Sequence, residues 1–290
     1  MQRHGKLWAR PEGQSVVVSG PLKGESLHAL LLKYGESLLG KGRTAEQFPL
    51  LVKLIDAHET LSVQVHPNNE NAHRTGGEPK TEMWYVLEAD PGAFVYAGIG
   101  SDATPDLLRT ALAENRAEEL LVKIPVQAHD AVFMPGGRVH AIGAGCLLLE
   151  CQQNSNTTYR LHDWGRVDAD GRARELHIEP ALQVINWNEP TPELLRPHSV
   201  EQQNGSERWE IARCPFFRME RLNLSTNYKL TAYPASFRVL FVAEGNIEVT
   251  QAGFRAQAPH GTTLLIPASC ADLQLRPLAP GAIIMLMDIP

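Results

Sequence analysis

Three short strand-like stretches, each carrying side chains that can bind a metal, limit what this chain can fold into. The first is Leu61-Ser62-Val63-Gln64-Val65-His66-Pro67. The second is Lys80-Thr81-Glu82-Met83-Trp84-Tyr85-Val86-Leu87, and the third ends in Pro135-Gly136-Gly137-Arg138-Val139-His140. In an extended strand alternate side chains face opposite ways. Leu61, Val63 and Val65 therefore share one face, and Gln64 and His66 the other. Glu82 opens a strand rich in aromatic and β-branched residues, and His140 follows a Pro-x-Gly turn. Pairing of the three strands in one sheet is expected to bring an amide, two imidazoles and a carboxylate to one centre.

The rest of the chain has to support such a centre. Its 290 residues are enough for one large domain or two small ones, each with a buried core. A net charge of −6 gives no electrostatic case for nucleic acid or an anionic membrane as partner. No apolar run reaches the length of a membrane span, and the N-terminus lacks a signal-peptide core. Cys146, Cys151, Cys214 and Cys270 show no CxxC pairing, which fits buried thiols in a reducing, cytoplasmic setting.

Taken in order, residues 1–20 read as an edge segment with Val16-Val17-Val18 as a short strand. Leu27–Tyr34 has leucines at helical spacing. Asp102-Ala103-Thr104-Pro105 offers a cap and an early proline for a helical insertion over about 102–123. Glu175–Trp187 again has helix-like spacing. Asn188–Ser206 is rich in Pro, Glu, Gln and Asn and reads as a linker, and short strands follow from about Trp209. The expected domains are residues 1–190, a linker at 191–206, and residues 207–290.

A short internal repeat relates the two domains. Glu82-Met83-Trp84-Tyr85-Val86-Leu87-Glu88 aligns with Arg238-Val239-Leu240-Phe241-Val242-Ala243-Glu244. Met134-Pro135 aligns with Ile266-Pro267, and the same alignment sets His140 against Asp272. The apolar positions survive and the ligand positions do not, so two related β-barrels are expected, only the first able to hold a metal.

Gln64, His66, Glu82 and His140 would add a single negative charge to a dication. The centre stays net positive and able to polarise a carbonyl or hydroxyl. Zinc suits imidazole and carboxylate ligands with one position left open. Iron, manganese or cobalt would also be accepted.

At these residues the sequence resembles the type I mannose-6-phosphate isomerases of the cupin superfamily, in their short bacterial form. The matching stretches are Phe48–Asp56, Leu61–Pro67, Lys80–Leu87, Pro135–Gly145, Glu150–Arg166 and Arg172–Ile185. The resemblance implies a mostly β fold of two cupin-like jelly-roll barrels, with a helical insertion in the first. It implies a zinc-dependent interconversion of mannose 6-phosphate and fructose 6-phosphate through an enediolate, with a sugar phosphate as the partner molecule. The family's metal ligands fall on Gln64, His66, Glu82 and His140, its active-site arginine on Arg160, its Lys-x-Glu lysine on Lys80, and a further carboxylate on Glu150. Glu150 or a metal-bound water would serve as general base. The general cupin pattern has Gly where this chain has His129, a departure that concerns turn geometry.

Two other readings compete. A cupin that binds metal and sugar phosphate without turnover leaves Arg160 and Lys80 without purpose. An iron-dependent dioxygenase is disfavoured by the lone Gln-x-His in place of His-x-His. No Gly-rich phosphate loop points to a nucleotide, and oligomeric state is left open.

Overall fold

The computed structural model describes residues 2–10, 13–44 and 46–290. It is mostly β, as expected, and divides into two compact units. The first contains Lys53–Leu194 with the N-terminal residues up to His4; the second contains Gly5–Val52 and Leu195–Pro290.

Two sheets account for the first unit, and two of their strands, Gln2–Leu7 and Leu50–Ala57, run across the division in the chain. One runs in the order Gln2–Leu7, Leu50–Ala57, Cys146–Gln153, Glu82–Ala89, Ala131–Met134. The other runs Tyr159–His162, Val63–Val65, His140–Ile142, Phe94–Ile99, Leu121–Pro125. Their facing sides supply one apolar core of Ile55, Trp84, Val86, Val132 and Leu148 from the first sheet and Val95, Ala97 and Ile142 from the second. The outer side of the second sheet, with Val63, Val65, Ala141 and Leu161, is covered by Leu108 and Leu112 of the helix Pro105–Ala113. Ala181 and Val184 of the helix Ile178–Val184 cover it too. Burial of Val63 and Val65 on the outer side sends Gln64 and His66 inward, as strand alternation requires.

The helix Pro105–Ala113 starts as its sequence demands. Thr104 Oγ1 accepts from Leu107 N at 3.2 Å, and proline takes the first turn. The insertion then departs from its helical pattern. Ala117–Leu120 is a 3-10 turn and Leu121–Pro125 an edge strand, because Val95 and Tyr96 offer it backbone partners. His129 adopts φ +73°, a conformation suited to glycine, and its Nδ1 lies 2.9 Å from Tyr85 Oη.

The second unit repeats the plan. One sheet runs His198–Gln203, Ser206–Arg213, Arg218–Leu224, Ala282–Asp288, Arg238–Glu244, Thr263–Ile266. The other runs Tyr228–Leu230, Leu273–Pro277, Ile247–Gln251, Phe254–Ala258. Leu222, Leu240, Ile284, Leu230, Val249 and Leu273 fill the space between.

Two expectations about organisation change. Gly5–Val52 belongs to the second compact unit, not the first. The reason is local: the Leu38 and Leu39 carbonyls accept from Ala268 N at 3.0 Å and Phe237 N at 3.3 Å, and the Phe48 ring lies 4.5 Å from that of Phe237. The segment expected as a linker contains the strand His198–Gln203, a polar edge strand of the kind that discourages further pairing. Val16-Val17-Val18 forms an isolated bridge from Val16 to Ser26 and backbone bonds from Val17 to Glu25 and Gly24 in place of a strand, with Val16 and Val18 exposed. Cys146 and Cys151 are buried thiols, as read from the sequence. Among the described residues no helix is long and apolar enough to cross a membrane.

Candidate metal centre

The putting together of the centre differs from the expected single sheet. Glu82 comes from one sheet, and Gln64 and His140 from the sheet facing it, with His66 just past its strand's end. The inward faces meet at one end of the core. There one ligand atom each from His66, Glu82 and His140 lies within 4.8 Å of the others, and all three residues are buried. His140 pairs with Gln64 across adjacent strands, and Gln64 Nε2 is 3.2 Å from His140 Nε2. A half-turn of the Gln64 amide would present its oxygen instead. So the structure gathers all four expected donors.

Backbone bonds fix their spacing. Gly137 N donates to His66 O at 2.7 Å, Lys80 N to Pro67 O at 2.9 Å, and Gly136 N to Thr81 Oγ1 at 3.2 Å. The turn before His140 thus touches both other ligand segments. A Cβ at Gly136 would stand 2.6 Å from Pro67 O, and Gly137 has φ +97°, so this Pro-Gly-Gly turn needs both glycines.

The electrostatics suit a cation. Burial pushes the His66 pKa down to about 3, and burial likewise lowers that of His140, so both rings are neutral at pH 7. Neutral imidazole is the form that binds metals. His140 Nδ1–H donates to Arg138 O at 2.9 Å, which leaves Nε2 with its lone pair facing Glu82 Oε2, 3.8 Å away. Burial opposes a charge on Glu82, but Lys80, His66 and His140 outweigh it and hold the carboxyl well below its usual range. Lys80 Nζ lies 2.6 Å from Glu82 Oε1 and 3.2 Å from His66 Nε2. Glu82 Oε1 and His66 Nδ1 are buried and make no well-aligned hydrogen bond. Two neutral imidazoles and one carboxylate, buried together with under-used polar atoms and flanked by a half-buried amide, fit a divalent ion.

Of the other expected site residues, Glu150 lies beside this cluster. Its Oε1 is 2.9 Å from Lys53 Nζ, and its Oε2 accepts from Trp84 Nε1 at 3.1 Å. Arg160 pairs with Gln64 on the neighbouring strand, hence on the same inward face, and its Nη1 donates to Glu175 O at 2.8 Å. Sequence reasoning missed Lys53 and Gln152. Lys53 sits between Glu150 and Gln152 and donates to both. Burial lowers its pKa, against the pull of Glu150. The signal was there: a lysine inside Leu50-Leu51-Val52-Lys53-Leu54-Ile55 is costly unless it is used. Gln152 gave no signal, since a glutamine at a strand end is unremarked in composition or spacing.

The comparisons agree with this architecture. A sequence model of the family described as phosphomannose isomerase type I, catalytic domain, matches residues 2–95. The chain is 36% identical over 282 residues to mannose-6-phosphate isomerase ManA of Bacillus subtilis (strain 168), covering 95% of this chain and 87% of that protein. It is 37% identical over 277 residues to a mannose-6-phosphate isomerase of Streptococcus mutans, covering 93% and 84%. The crystal structure of the mannose 6-phosphate isomerase from Bacillus subtilis superposes with a TM-score of 0.86 at 27% identity, over 96% of this chain and 86% of that one. The fold is that of a two-cupin sugar-phosphate isomerase. The chain belongs to the type I mannose-6-phosphate isomerases.

Proposed function

We propose that this chain interconverts mannose 6-phosphate and fructose 6-phosphate in the cytoplasm, at a zinc centre held by Gln64, His66, Glu82 and His140. The observation that supports this reading most is the convergence of His66, Glu82 and His140 from three separate strands into one buried group. A bound divalent cation supplies Lewis-acid polarisation of the sugar's oxygens next to the proton that moves.

The chain's own residues do the rest. Aldose–ketose isomerisation shifts a proton between C2 and C1 of the open-chain sugar, and an enediolate carries the resulting charge. The Lys80 ammonium, buried against Glu82, adds positive charge beside the proposed metal centre, where an enediolate would form. The Lys53–Glu150 pair is the candidate proton shuttle, because burial weakens the ammonium and a carboxylate stands ready 2.9 Å away. Arg160 lies one strand beyond Gln64, where a planar guanidinium can take two phosphate or enediolate oxygens on releasing Glu175 O. A cupin that binds without turnover has no use for this set of cations, and the relatives named as isomerases count against it.

The test is a coupled assay for fructose 6-phosphate formation before chelation, after it, and after zinc is restored. Activity lost to chelator and regained with zinc is expected. Turnover unaffected by exhaustive chelation would overturn the metal reading.

A further inference from the structure

One buried group in this region has no place in the scheme above. Trp84, 1% exposed, points its indole N–H into the gap between two carboxylates. Its Nε1 lies 3.1 Å from Glu82 Oε2 and 3.1 Å from Glu150 Oε2. The far oxygen of each carboxylate faces a lysine, Glu82 Oε1 at 2.6 Å from Lys80 Nζ and Glu150 Oε1 at 2.9 Å from Lys53 Nζ. The result is one buried chain, Lys80–Glu82–Trp84–Glu150–Lys53, with a single neutral donor at its middle. The edge of the same ring meets His140, with centroids 5.3 Å apart and planes at 82°.

An apolar side chain two residues after Glu82 would satisfy the core equally well, as Val86 does two residues further on. What tryptophan adds is the N–H. With one hydrogen shared between two anionic acceptors, neither carboxylate can rotate without losing a charge-assisted bond. Like charges that would otherwise repel across a dry gap are held apart at fixed distance by a dipole aimed at both.

We infer that Trp84 is a positioning residue whose indole N–H holds the Glu82 carboxylate in the orientation a metal needs and ties it to Glu150. The inference rests on the metal-centre reading given above. Hydrogen bonds from outside a ligand set of this kind typically tune metal affinity by roughly 10–100-fold.

The test measures zinc affinity directly, by competition with a chromophoric chelator, on the full chain freed of metal. Three proteins are compared: the wild type, Trp84→Phe, and a chain with benzothienylalanine at position 84. The last keeps the shape of the fused ring and replaces N–H by sulfur, so it remains informative where Trp84→Phe fails to fold. The expected result is zinc binding weakened by roughly 10–100-fold in the benzothienylalanine protein, at unchanged stoichiometry. Its cobalt absorption spectrum should shift as well, and azatryptophan, which keeps the N–H, should restore both. Wild-type affinity and an unshifted cobalt spectrum in the benzothienylalanine protein would overturn the inference and leave the metal centre standing. Failure of the wild type itself to bind zinc would overturn both.

Discussion

In the first unit the strand Glu82–Ala89 lies between Cys146–Gln153 and Ala131–Met134; in the second, Arg238–Glu244 lies between Ala282–Asp288 and Thr263–Ile266. The register matches too: Glu82 pairs with Met134, and Arg238 with Ile266. Glu82 looks across to Gln152 on its other side, and Arg238 lies 4.0 Å from Asp288. The same inward end of the same sheet thus holds a carboxylate of the candidate metal centre in one unit and a guanidinium in the other. In the second unit Arg218 closes on Asp288 with contacts of 3.0 and 2.5 Å, Arg238 Nη1 donates to Thr231 O at 2.7 Å, and the Tyr233 ring lies 4.9 Å from the Arg238 guanidinium. Internal ion pairs have taken up the polar end of the core. The comparison teaches that this fold leaves one end of its interior too polar for hydrocarbon alone. In one unit that end gathers His66, Glu82 and His140 into a group that could hold an ion, and in the other its charges answer one another.

The sharpest way to break the comparison is to remove one member from each unit. His140→Ala should abolish stoichiometric metal and lower turnover by about a thousandfold or more, read by metal analysis and the coupled assay. Asp288→Ala should leave activity per folded molecule unchanged but cost about 3 kcal/mol in denaturant unfolding, because Arg218 loses its short ion pair and Glu220, 3.7 Å from it, is left to offset the two guanidiniums. If Asp288→Ala abolished turnover without unfolding the chain, the second unit would have a part in catalysis that this contrast denies it.

Arg160→Lys comes next. It keeps the charge and loses the fork, so turnover should fall by about a hundredfold with the melting temperature held. Near-normal turnover would remove Arg160 from the site. A smaller effect concerns pH. In metal-free protein His66 stays neutral until about pH 3, while the unfolded chain protonates it near 6.5. Its contribution is therefore complete above pH 6.5 and is lost as pH falls toward 3. From well above pH 6.5 down to 5 the His66 share of the loss should be about 2 kcal/mol by denaturant unfolding, and His66→Asn should remove that share while His140, also lowered by burial, keeps its own. The smallest effect is a null: Asp272→His should bind no zinc, since Arg238 remains on the strand where a carboxylate would be needed.

Much of this was legible in the chain. Alternation in Leu61–His66 set Gln64 and His66 on one face together, Thr104 caps its helix within the stretch expected to offer a cap, and the repeat aligned Glu82 with Arg238 in the register the strands adopt. What was not legible depended on distant partners. Nothing local says that the carbonyls of Leu38 and Leu39 will serve Ala268 and Phe237, so the N-terminal segment was read into the wrong unit. The edge strand His198–Gln203 looks like a linker because an edge exposed to solvent is built from polar residues. Pairing of the ligand strands within one sheet was a natural reading of their alternation, but alternation reports which face a residue takes and not which sheet it joins. Lys53 was visible as an oddity; its use became plain only with Glu150 and Gln152 beside it.

The contact of Gly136 with the Pro67 carbonyl has a consequence for how an ion is captured. His66 and His140 lie far apart along the chain, yet the bond from Gly137 N to His66 O sets their separation as part of folding. A divalent ion bound here as proposed would leave little conformational entropy to be lost, so this pre-organised pair should take one up without rearrangement of the sheets around it.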